Sequence, residues 1–74
     1  MTLIEAIDTL KPFSRPHWGK ETSIQYCLPN TGPYKNIVDC DYFVIIEDSI
    51  QSFSTSVDLY PEDIKASDYI LLNP

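Results

Sequence analysis

Cations, glycine, cysteine and long apolar runs are all scarce in this sequence, and each shortage excludes something. Five Lys and Arg stand against 11 Asp and Glu, a formal net charge of −6. A broad nucleic-acid surface needs clustered Lys and Arg, so that class is excluded. One arginine with backbone N–H groups still suffices for a small anionic ligand. Two cysteines, Cys27 and Cys40, are too few for a disulfide scaffold. With His17 as the lone histidine they do not complete a four-ligand zinc site, so no metal and no cofactor is expected. No apolar run approaches the roughly 20 residues of a membrane span. Met1-Thr2-Leu3-Ile4-Glu5 has neither a basic nor an apolar leader region, so the expected location is the cytoplasm.

What is present describes a small globular unit. Hydrophobic residues make up 43% and aromatics 12%, enough for a packed core. Residues 1–74 read as one domain without repeats or linkers. A chain this short buries only about 60% of its unfolded surface, which favours self-association. The acids are scattered and not blocked, as on a solvated surface.

The pattern predicts an α+β fold: an N-terminal helix on a small, mostly antiparallel sheet, with a short second helix before the last strand. Thr2-Leu3-Ile4-Glu5 has the form of a capping box. Leu3, Ile7 and Leu10 follow at helical spacing, and Pro12 ends the helix near Leu10 or Lys11. Ser23 to Leu28 alternate as a strand with one buried face. Pro29 to Pro33 signal a loop, and Tyr34 to Cys40 are ambiguous, with Ile37 and Val38 suited to a short strand. Tyr42 to Ile46 are apolar on both faces and fit an interior strand. Glu47-Asp48-Ser49 turns the chain into a hairpin partner, Ile50 to Ser54. Leu59 to Ser67 read as a second helix with Pro61 at its first position, and Asp68 to Leu72 as a closing strand. Ile7, Leu10, Val44, Ile46 and Ile64 are the expected core.

The chemistry is concentrated in Phe13-Ser14-Arg15-Pro16-His17-Trp18-Gly19. This stretch holds the only Arg, His and Trp of the chain. A guanidinium is a rigid fork for phosphate or carboxylate, and an indole is a flat face for stacking. Two readings stand side by side. In one, the pair grips something flat and anionic. In the other, Trp18 anchors the core and Arg15 pairs with an acid.

Two segments resemble the second-type Thoeris anti-defence family of small phage proteins, once catalogued as a domain of unknown function. Leu3 to Leu10 followed by Arg15-Pro16-His17-Trp18 resembles its opening pattern of amphipathic helix, connector and Arg-x-x-Trp. Asp63-Ile64-Lys65-Ala66-Ser67-Asp68-Tyr69 resembles its closing pattern, Asp-Leu-x-Ala-x-Asp-Trp and a short strand, with Tyr69 standing where the family usually has a second Trp. The connector Lys11-Pro12-Phe13-Ser14 lacks the usual Gly, and the middle of the chain looks shorter than in typical members.

The resemblance implies a sponge. Such proteins hold cyclic nucleotide-type immune signals, glycocyclic ADP-ribose or cyclic oligonucleotides, without cleaving them. They assemble as homotetramers with ligand sites between protomers. Arg15, Trp18 and Tyr69 then become the ligand-binding residues, with Tyr26 and Tyr34 as further flat faces. No catalytic residue is expected, since His17 has no evident nucleophile or carboxylate beside it. Two rival classes are an acidic module that inhibits a host protein by direct binding and a small phosphodiesterase-like enzyme.

Overall fold

A computed structural model of the chain describes residues 1–19 and 21–72. The capping box forms as its residues predict. The Thr2 hydroxyl accepts from the Glu5 N–H at 3.2 Å, and the Glu5 carboxylate accepts from the Thr2 N–H at 2.9 Å. Helix α1 covers Leu3–Asp8 and stops sooner than expected. The Thr9 hydroxyl donates to the Ala6 carbonyl at 2.7 Å, and Leu10 then takes a left-handed φ of 60°. That conformation turns the chain out of the helix before Pro12 is reached.

The strands are β1 (Phe13–Ser14), β2 (Ser23–Cys27), β3 (Tyr42–Glu47), β4 (Ile50–Ser54) and β5 (Ile70–Leu71). They form one sheet in the order β4-β3-β2-β1-β5, with every neighbouring pair antiparallel. A second short helix, α2 (Pro61–Lys65), lies before the last strand with Pro61 at its first position. The fold is therefore α+β, with an N-terminal helix on an antiparallel sheet. Strand β1 leaves no trace in the sequence pattern, because two residues carry no period. Tyr34 to Cys40 form turns, not a strand.

The sheet is covered on both faces, where alternation had suggested one buried face for β2. On the first face, Ala6, Phe13, Ile24 and Tyr69 form a core under α1, flanked by Leu3, Ile7, Phe43 and Leu71. On the second, Cys27, Val38, Tyr42 and Val44 form another core, roofed by Tyr34 and the turns around it. Ser23 and Cys27 are thus buried as well as Ile24. Of the expected core residues Val44 is buried, while Ile7 and Ile46 are half-buried. Leu10 and Ile64 are exposed, at 41% and 57%. Leu10 leaves the apolar face of α1 through its positive φ.

Candidate functional site

Arg15 follows β1 in an extended conformation, and Pro16 then opens a single 3-10 turn, Pro16–Trp18. The turn is closed by the Trp18 N–H on the Arg15 carbonyl at 3.0 Å. Proline supplies the fixed φ that starts such a turn. Gly19 leaves it at φ 87°, where a side chain is strained. The effect is to set the Arg15 guanidinium and the Trp18 indole side by side, facing α2.

Asp63 receives both. Its carboxylate accepts from an Arg15 guanidinium nitrogen and from the Trp18 Nε1–H at 3.0 Å. Its backbone carbonyl accepts from the Tyr69 hydroxyl at 2.7 Å. One buried acid thus ties together the three residues that the sequence singles out. Asp68 closes the other side of the guanidinium, accepting from Arg15 Nε at 2.7 Å. The rings pack around this centre: Tyr69 meets Trp18 and Phe13 edge-on, each at 5.6 Å between centroids. The Arg15 guanidinium lies 5.9 Å from the centre of the Tyr69 ring.

The electrostatics follow from these contacts. Burial pushes the Asp63 carboxyl up, but the Trp18 N–H and the Arg15 guanidinium outweigh it and hold the group below its ordinary value. The Arg15 hydrogen bond holds Asp68 low as well. Arg15 is shifted up, first by Asp68, and stays charged throughout. Burial raises the Tyr69 phenol, which remains neutral as a hydrogen-bond donor.

The other two candidate residues lie elsewhere. Tyr26 stands on the first face against Phe43, at 5.3 Å, and donates to Asp41 at 2.9 Å. Tyr34 stands on the second face, against Phe53 at 4.6 Å and Tyr42 at 6.1 Å. The structure therefore brings Arg15, Trp18 and Tyr69 together and leaves Tyr26 and Tyr34 on opposite sides of the sheet. Asp63 was missed as a member of this group. An acid in the first turn of a helix reads as a partner of the helix dipole, which hides its second role. The signal was there in the spacing Asp63-x-x-Ala66-x-Asp68, which holds both partners of Arg15.

Open space lies around the cluster. Trp18 forms one wall of a groove of about 350 Å³ on the first face, with Ile24, Ile45 and Val57, the hydroxyls of Thr22 and Ser56, and the acids Glu47 and Asp58. A second, more apolar groove of about 320 Å³ adjoins it, sharing Ile24, Val57 and Leu59. Arg15 borders a different depression, with Ser14, Pro16, Gly19, Ile70 and Leu72. Among the described residues no cluster of His, Cys, Asp and Glu has a metal-binding arrangement. Among them, too, no helix is long and apolar enough to cross a membrane.

No protein-family model, curated protein or solved structure matches the chain.

Proposed function

We propose that this protein is a phage anti-defence sponge. It binds a cyclic nucleotide-type immune signal, glycocyclic ADP-ribose or a cyclic oligonucleotide, and withholds it without cleavage in the host cytoplasm. The working unit is a homo-oligomer, a tetramer built from two dimers, with ligand sites between protomers. The observation that carries this reading is the Trp18 indole, pinned at its N–H by Asp63 and forming one wall of an open groove. A pre-oriented aromatic face is what base stacking needs, and such stacking is worth about 1–3 kcal/mol per base. The groove, at about 350 Å³, falls within the size range of small-molecule sites.

Arg15 enters through exchange. Its Nε side is held by Asp68, whose side chain is 51% exposed, while its other side is held by the buried Asp63. A ligand phosphate takes the place of Asp68 and leaves the structural contact with Asp63 intact. A phosphate on that fork gains charge-assisted hydrogen bonds.

The test is to mix the protein with a candidate signal, remove free ligand, and heat-denature the complex. A sponge depletes the signal and then releases it intact. Recovery of a hydrolysed product overturns the reading in favour of an enzyme, and no depletion overturns it in favour of an interaction module. Asp68→Asn sharpens the test: removing the competing acid should hold or raise affinity, while Arg15→Lys should lower it roughly 10-fold. Unchanged binding in both variants removes Arg15 from the site.

A second reading is favoured by the acidic rim of the groove. Glu47 and Asp58 both line it, in a chain of net charge −6. Carboxylates repel a phosphate and attract a basic protein surface. In that reading the protein inhibits a host protein by direct binding, and a salt-sensitive complex forms with no small molecule involved.

A further inference from the structure

Strand β4 is an edge without protection. Among the described residues it is the outermost strand at one side of the sheet and pairs only with β3. Natural edge strands are guarded by charge, proline, a bulge or extreme shortness. The opposite edge, β5, is two residues long. Strand β4 runs for five residues, Ile50-Gln51-Ser52-Phe53-Ser54, with no charge and no proline, although 22% of the chain is charged. Its register with β3 is one-to-one from Glu47↔Ile50 to Phe43↔Ser54, so there is no bulge. Ile50 is 72% exposed and Phe53 40% exposed. Among the described residues, nothing but β3 takes its backbone hydrogen bonds.

We propose that β4 is a self-pairing edge: two copies of the chain align Ile50–Ser54 antiparallel about a two-fold axis at Ser52, fusing two five-stranded sheets into one. This names one contact of the assembly proposed above, and it rests on that reading for self-association. In this register Ser52 faces Ser52 of the other copy, Gln51 faces Phe53, and Ile50 faces Ser54. Charge selects the antiparallel arrangement. Parallel pairing sets the acidic turns Glu47-Asp48 of two copies side by side. Antiparallel pairing sets each turn just beyond the Ser54 end of the other copy's strand, beside the uncharged Thr55-Ser56. Glu47 is level with Ile50, so at about 3.4 Å of rise per residue the two turns stand roughly 14 Å or more apart along the strands, beyond the screening length of about 8 Å. A second copy also suits a chain short enough to bury only about 60% of its unfolded surface. A foreign strand is the competing occupant, and the test separates the two.

The experiment is light scattering on sized wild-type protein and on Ser52→Lys and Ser52→Glu, alone and mixed in equal amounts. Ser52 is exposed and packs no core, so melting curves should match wild type. Wild type should run as a multiple of 8.5 kDa at micromolar concentration. Each variant alone sets like charges opposite each other and should shift its association midpoint by about fivefold or more toward the monomer. The mixture pairs Lys with Glu and should recover wild-type association. Wild type that runs as a monomer overturns the proposal, and so do variants as associated as wild type, or a mixture that fails to recover. Ligand depletion measured on the same samples keeps the two proposals apart: depletion by a monomer overturns the edge and the sites between protomers but leaves sequestration standing, and an edge-paired dimer without depletion overturns the sponge alone.

Discussion

The two faces of the sheet are closed by different chemistry. The first is covered by α1 and locked by an ionic cluster, with Arg15 held between Asp63 and Asp68 across separations of 48 and 53 residues. The second is roofed by local turns and locked by one phenol. The Tyr42 hydroxyl donates to the Thr31 carbonyl at 2.7 Å and accepts from the Tyr34 N–H at 3.0 Å, across 11 and 8 residues. Burial raises the Tyr42 phenol above its ordinary value. One lock therefore responds to acid and salt, and the other to neither near neutral pH. The difference separates what a sequence shows from what it hides. Local locks are written in turns, and distant ones are written in pairs of residues that look unrelated.

The sharpest way to break the first face is Phe13→Ala. Phe13 is 1% exposed and packs edge-on against Tyr69. The variant should lose about 3–5 kcal/mol, enough to unfold most small domains. A melt that matches wild type would falsify the placement of the first core. On the second face, the strongest lesion is Gly32→Ala. Gly32 sits at φ 80°, and a methyl there meets the Tyr42 hydroxyl and stands 2.9 Å from the Cys27 sulfur. Strain and overpacking together should cost about 2–4 kcal/mol. Tyr42→Phe is milder: it strands the Tyr34 N–H and the Thr31 carbonyl and should cost about 1–3 kcal/mol, with no change in acid response.

Acid should tell the two faces apart. Asp63 and Asp68 titrate below their ordinary values in the folded chain. Their contribution is therefore complete above the unfolded value near pH 4 and is lost as pH falls through the lowered ones. The melting temperature should hold steady down to about pH 5 and fall below about pH 4. Indole fluorescence from Trp18 should change with it. Asp68→Asn should flatten part of that fall, and an identical acid profile in the variant would remove Asp68 from the lock. The smallest effect is expected at Leu10→Gly. Leu10 is 41% exposed with a φ of 60°, so glycine should leave stability unchanged or raise it by up to about 1 kcal/mol. A loss of several kcal/mol would restore Leu10 to the core.

Elements with their own local logic were legible in advance. The capping box, the interior strand at Tyr42 to Ile46, the hairpin and the Pro61 helix start all appear where their residues predict. The hairpin turn is made by Asp48 and Ser49, both at positive φ, which matches the twist of the flanking strands. Helical spacing misled at Leu10 and Ile64, because period alone does not show where a helix stops or how far a short one is covered. The site was legible in part: Arg15, Trp18 and Tyr69 do meet, and what holds them is Asp63, a residue with an ordinary explanation where it stands.

Strand β1 pairs with β5, and Arg15 finds both of its acids only beyond residue 60. In the folding chain Phe13 and Trp18 therefore stay uncovered until residues beyond 60 have docked. The second face, whose partners lie within Ser23–Ser54, can assemble before that docking. The order of events follows: the local phenol-locked half forms first, and the ionic half is a late closing step with high loop-closure entropy. A truncation that stops short of Asp63 should leave β2, β3 and β4 able to pair but α1 undocked.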